Sequence, residues 1–103
     1  MPVGAFLNGD VTEEHYRRLT EKMFGNYPMR DDQAPDGLIV HTERYASQGR
    51  TGYYVYEVWE SMEQFQEFFD TTLDPALREL LGDGPRPKPE FFDVVRVVKG
   101  PAG

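Results

Sequence analysis

Gly52-Tyr53-Tyr54-Val55-Tyr56-Glu57-Val58-Trp59-Glu60-Ser61 runs directly into Met62-Glu63-Gln64-Phe65-Gln66-Glu67-Phe68-Phe69. The first part reads as a strand, because aromatic and β-branched residues suit a pleated surface. Ser61 changes the geometry. Its hydroxyl is placed to accept from the backbone N–H three residues on, and Gln64 to reach back to the Ser61 N–H, which is the reciprocal pattern of a capping box. Glu60 and Glu63 add negative charge where a helix dipole favours it. Phe65, Phe68, Phe69 and Thr72 then recur at helical spacing as one stripe.

Upstream, Val3 to Leu7 reads as a first strand and Asn8-Gly9-Asp10 as a turn. Thr12 caps a helix whose first turn holds Glu13 and Glu14. Tyr16, Leu19, Thr20 and Met23 line one face of it, Arg17, Arg18, Glu21 and Lys22 the other, and it ends near Gly25. Residues 26–37, with Pro28, Pro35 and Gly37, form a loop long enough to serve as a lid or as a passive connector. Leu38 to Tyr45 is a second strand. Ala46-Ser47-Gln48-Gly49-Arg50 turns it back, antiparallel, onto the strand beginning at Tyr53.

Downstream, Asp74 and Pro75 restart the helix as cap and first residue, with Leu77, Leu80 and Leu81 as a second apolar patch. Gly82-Asp83-Gly84-Pro85 ends it, Arg86-Pro87-Lys88-Pro89 reads as an extended linker, and Phe91 to Val98 as the last strand. The order is strand, helix, strand, strand, helix, strand. It predicts an α+β ferredoxin-like βαββαβ two-layer sandwich, with both helices on one face of the sheet.

The 103 residues make one domain, 1–103. The chain has no cysteine, hence neither disulfides nor a thiolate site. A net charge of −7 without a basic cluster argues against nucleic acid and anionic membrane as partners. No signal peptide or membrane span is legible, and a soluble cytoplasmic protein is expected. The strands, however, are apolar on both faces: Tyr54, Tyr56 and Val58 oppose Tyr53, Val55 and Trp59. A monomer covers only one face with its helices, so a two-fold homodimer, sheet to sheet, is expected.

Glu57-Val58-Trp59-Glu60-Ser61, Phe65, Phe68 and Leu73-Asp74-Pro75-Ala76-Leu77 resemble the dimeric α/β barrel superfamily. The likeness is to its antibiotic-biosynthesis-monooxygenase branch and the small actinobacterial proteins beside it. Thr12-Glu13-Glu14-His15-Tyr16 and Gly37-Leu38-Ile39-Val40-His41 fit the same pattern. The resemblance implies a pocket between sheet and helices that takes polycyclic aromatic ligands, with Trp59 on its wall. It also implies oxygen chemistry without metal or flavin, the phenolic substrate supplying the electrons. Across the superfamily the fold serves oxygenases, cyclases, heme-degrading enzymes, isomerases and binding proteins, so it does not choose among them.

If the hairpin is centred near Gln48, Tyr45 faces Thr51 and His41 faces Val55. His41 then shares a sheet face with Tyr53, Val55, Glu57 and Trp59. This parity is decisive, since a one-residue slip moves every side chain across the sheet. His41 is the candidate general base and Glu57 its orienting partner. Trp59 and Tyr53 are candidate stacking surfaces, and Phe65, Phe69, Tyr16 and Met23 the candidate roof. Each has a structural alternative: a hydrogen-bonded strand histidine, a glutamate paired with a lysine or arginine, a tryptophan in the core. No metal is expected, because the two histidines lack ligand spacing, and the second helix offers no axial histidine to heme. The expected activity is a cofactor-free monooxygenase or polyketide cyclase acting on an aromatic small molecule. The alternatives are a non-catalytic dimer that binds a ligand or supports another enzyme, and a solidly packed barrel with no site.

Overall fold

The structure, a computed structural model, describes residues 1–9, 12–45, 52–82, 88–98 and 100–101, with side chains at these positions other than 8, 9, 45, 53 and 88. Its elements in chain order are β1 (Val3–Gly9), α1 (Glu13–Phe24), β2 (Leu38–Tyr45), β3 (Tyr53–Trp59), α2 (Met62–Phe68), α3 (Asp74–Leu81) and β4 (Lys88–Asp93). The strands form one four-stranded sheet in the order β2-β3-β1-β4. All three neighbouring pairs are antiparallel. This is the expected ferredoxin-like α+β sandwich.

The helix ends follow from local chemistry. The Thr12 side chain accepts from the His15 N–H at 3.1 Å. Gly25 closes α1 at φ 84°, donating its N–H to the Glu21 carbonyl at 2.7 Å, a left-handed cap that only glycine adopts at low cost. Ser61 caps α2 by accepting from the Gln64 N–H at 3.2 Å. The Ser61 hydroxyl in turn donates to Gln64 Oε1 at 2.9 Å, where the sequence reading has the Ser61 backbone N–H.

Several boundaries differ from the sequence reading. β1 continues through Asn8 and Gly9. Lys88 and Pro89 belong to β4, which ends at Asp93 rather than Val98. Proline is tolerated there because β4 is a sheet edge, where a missing N–H costs no ladder bond. The helix does not restart at Asp74. Leu73 is helical at φ −72° and ψ −50°, and a π-helical turn over Phe69–Leu73 joins α2 to α3. Pro75 has no N–H for the preceding turn and its ring crowds it; the wider turn absorbs both. The Thr71 hydroxyl meanwhile donates to the Glu67 carbonyl at 2.7 Å. Residues 46–50, expected as a hairpin turn, and residues 83–87, expected as helix end and linker, lie outside the described residues.

β2 and β3 pair Tyr45 with Tyr53 and His41 with Glu57, two residues along β3 from the expected register. A two-residue slip preserves parity, so the inward set is unchanged while His41 moves directly opposite Glu57. An irregularity between Leu38 and Val40 accommodates Ile39 as a bulge. Leu38 and His41, three apart, therefore both face the helices, and Leu38 does not share a face with Val40 as strict alternation implied.

Val3, Ala5, Trp59 and Phe65 form one core cluster beneath the helices; Leu19, Leu73, Ala76 and Leu77 form another between α1 and α3. On the opposite face Tyr54 is buried, with Phe6 at 5.7 Å and the Arg44 guanidinium at 5.1 Å from its ring. Tyr56 and Phe92 remain exposed there.

Candidate functional site

Strand alternation and the β2–β3 register place His41, Glu43 and Glu57 together on the inward face. His41 and Glu43 are two apart on β2, and Glu57 lies across from His41. The His41 ring lies between the two carboxylates. Its Nδ1 is 2.6 Å from Glu57 Oε2 and its Nε2 is 2.7 Å from Glu43 Oε2. The other Glu57 oxygen accepts from Trp59 Nε1–H at 3.1 Å. The Tyr16 hydroxyl reaches down from α1 to within 3.3 Å of His41 Nε2. No buried side-chain polar atom among the described residues lacks a partner.

Two carboxylates on one imidazole set its charge. Burial alone would push the His41 pKa down, but the hydrogen bonds to Glu43 and Glu57 and their charges outweigh it and raise it from 6.5 to about 9. At neutral pH the ring is therefore a cation donating from both nitrogens. Burial, then the charges of Glu43 and Glu57, hold the Tyr16 hydroxyl well above its usual range, so it stays protonated. Because the folded-state His41 value exceeds the unfolded one, its stabilisation is fully present below about pH 6.5 and is lost as pH rises through about 9. The loss should approach about 3 kcal/mol. Urea midpoints measured from pH 6 to 9.5 at fixed protein concentration would show it; a flat or rising trend would contradict the arrangement.

The cluster forms the polar part of the wall of a cavity of about 80 Å³ between sheet and helices. Of the residues predicted at the site, His41, Glu57, Tyr16, Met23 and Phe69 line it. Trp59 and Phe65 do not. Their exposures are 0 % and 1 %, with ring centroids 5.6 Å apart, and both lie in the core cluster with Val3 and Ala5. Trp59 touches the site through its bond to Glu57 and its ring contact with Phe68, and Glu57 pairs with His41 rather than with a lysine or arginine. The Tyr53 side chain lies outside the described residues. Glu43, Leu7, Thr20, Phe68 and Leu73 also line the cavity and were missed. The signal for Glu43 was present, since the second residue after His41 on a strand shares its face.

Met29 and Pro35, from the loop between α1 and β2, complete the wall. The loop is braced by Gln33, whose amide donates to the Phe24 carbonyl and to Asn26 Oδ1 and accepts from Asn26 Nδ2 and the Arg30 N–H, all at 2.8–2.9 Å. It joins β2 at Gly37, where φ is 91° and a Cβ would lie 2.5 Å from the Gln64 side chain. Gly37→Ala should therefore cost about 1–3 kcal/mol in urea denaturation, from the left-handed backbone and the clash together. A loss below half a kilocalorie would mean that the loop and α2 are not packed as described.

Among the described residues, no group of three or more His, Cys, Asp or Glu side chains is arranged to hold a metal ion. Glu43 and Glu57 sit at opposite nitrogens of one ring and do not converge on a point. No described helix is long and apolar enough to cross a membrane.

No protein-family profile matches the chain, and no curated protein does. Solved structures do. A protein of Deinococcus radiodurans ascribed to the antibiotic biosynthesis monooxygenases is similar at 12 % identity and TM-score 0.64, covering 96 % of this chain and 97 % of its own. A heme-degrading protein from Mycobacterium tuberculosis is similar at 21 % identity and TM-score 0.60, covering 97 % and 98 %. SnoaB, a cofactor-independent oxygenase from Streptomyces nogalater, is similar at 13 % identity and TM-score 0.54, covering 96 % and 95 %. The chain has the fold of these proteins over nearly its whole length. Heme does not fit the residues present. The chain's two histidines are His15 and His41; His15 is not on the cavity wall, and both His41 nitrogens are bonded to carboxylates. Residues 62–81 contain no histidine.

Proposed function

We propose that the protein is a cofactor-independent enzyme acting on an aromatic or polyketide-like small molecule with an acidic hydroxyl or enol, as an oxygenase or a cyclase. One observation carries this reading: a carboxylate–imidazole–carboxylate array on the wall of an otherwise apolar cavity. Similarity of fold to SnoaB and to a protein ascribed to the antibiotic biosynthesis monooxygenases supports it.

In this reading the array shares the roles. With both nitrogens bonded, His41 is not itself the base. The array of one imidazole and two carboxylates holds one shared proton at neutral pH and has room for another. Glu43, the more exposed of the two carboxylates on the cavity wall, receives the substrate proton, and the adjacent imidazolium stabilises the anion left behind. Glu57, fixed by Trp59, holds the ring in place. In oxygenation the substrate anion supplies the electrons: a CH₂ group and O₂ become a carbonyl and water, with no external reductant. In cyclisation the proton leaves a carbon beside a carbonyl, the carbanion attacks a second carbonyl, and the proton returns to the new alkoxide. Both begin with the same proton transfer.

The array's internal satisfaction favours a second reading, a structural cluster in a non-catalytic binding protein. Oxygen uptake and product formation from a panel of naphthols, anthrones and short poly-β-ketones, in the presence of a chelator, separates the two. Turnover above a boiled-protein control is expected with at least one class. Binding of panel members without any turnover would leave only the binding protein.

The reading includes a homodimer built through the outer sheet face, where Phe92 is 48 % and Tyr56 38 % exposed. Phe92→Glu should shift the protein from dimer to monomer in sedimentation velocity at micromolar concentration. A monomeric wild type would remove the dimer.

A further inference from the structure

The polar part of the cavity wall is negative whichever way His41 is protonated. Two carboxylates and one imidazolium carry a net negative charge, and a neutral ring makes it more so. Among the described residues, neither lysine nor arginine lines the cavity. The nearby cations are engaged elsewhere: Lys22 with Glu79 at 2.7 Å, Arg17 with Glu21 at 3.5 Å. An anionic ligand would thus surrender its hydration for apolar walls and like charge. A hydroxyl donor meets the opposite situation. Each Glu57 oxygen already has a partner, His41 on one and Trp59 on the other. Glu43 is bonded to His41 through Oε2. An ionised carboxylate offers about four acceptor positions, so both keep capacity, and Glu43 is the more accessible, its side chain 18 % exposed against 8 % for Glu57.

We infer that the site selects neutral ligands presenting a phenolic or enolic O–H to Glu43, and rejects carboxylates and phosphates on the same skeleton, with Glu43 as the specificity-determining residue. This rests on the enzymatic reading only for its substrate type; the discrimination itself is a property of binding. The same charge would turn away the acid side chains of a porphyrin.

Matched ligands test it at pH 7 by titration calorimetry: phenol with benzoate, and 2-naphthol with 2-naphthoate and 2-methoxynaphthalene. The hydroxyl ligand of at least one pair should bind, with its carboxylate at least about thirtyfold weaker. The methoxy compound, which keeps the rings and loses the donor, should bind about tenfold more weakly than naphthol. Glu43→Gln should narrow the naphthol-to-naphthoate ratio at least about tenfold. Carboxylate binding within about threefold of the hydroxyl ligand, an unchanged ratio in a folded Glu43→Gln protein, or no binding of either hydroxyl ligand would overturn the inference. The wild-type comparison stands even if the variant fails to fold. Naphthol bound but never turned over would remove the enzyme and leave the selectivity; equal binding of naphthoate would remove the selectivity whatever the turnover.

Discussion

Glu57→Ala should destabilise the fold by about 3–5 kcal/mol, the largest stability loss expected of any single substitution at the site. Glu57 is only 6 % exposed and bridges two buried donors, His41 Nδ1 and Trp59 Nε1. Removing it leaves the indole N–H without a partner, the imidazolium with one carboxylate rather than two, and a void beside Ala5, its neighbour on β1. Glu57→Gln keeps an oxygen for the indole and nearly the same volume, and should recover part of the loss. Urea denaturation at fixed protein concentration measures both. A loss below about 1 kcal/mol for the alanine variant would mean that the array adds nothing net to stability.

Glu43→Gln should lower turnover about a hundred- to ten-thousandfold while the protein stays folded, provided the proposed proton transfer is correct. Glutamine is nearly isosteric, so the loss is chemical rather than one of packing. The amide cannot take the substrate proton, and the array is left with a single carboxylate. The signature is a fall in kcat larger than any rise in KM. Retained activity in this variant would return Glu43 to a structural role and leave the site without a base.

Much of this was legible from residue order. Period and caps gave both ends of α1, where Thr12 and Gly25 act as their chemistry requires. Strand parity gave the inward face of β3, and with it the meeting of His41 and Glu57. The remainder depended on what local rules do not carry. Register is set by the hairpin, and a two-residue slip leaves every face correct and every partner different. Glu43 escaped notice because a charged strand residue reads as solvent-facing until the histidine beside it is seen to need a second carboxylate. The resemblance implies Trp59 on the cavity wall, but Glu57 holds its N–H and Phe65 and Phe68 pack against its ring. Asp74-Pro75 has the composition of a helix start, and only the widened turn before it shows why the chain continues instead.

That widened turn has a bearing on lineage. Eight steps of ideal helix from Phe65 would swing Leu73 about 80° around the axis, yet both are buried toward the sheet and α1. The surplus residue within Phe69–Leu73 corrects the phase. A homologue one residue shorter at this point would form a plain α-helix and still aim both halves as here. Insertions and deletions during divergence should therefore accumulate in this stretch, in mid-helix, rather than only in the surface loops where length changes are usually sought.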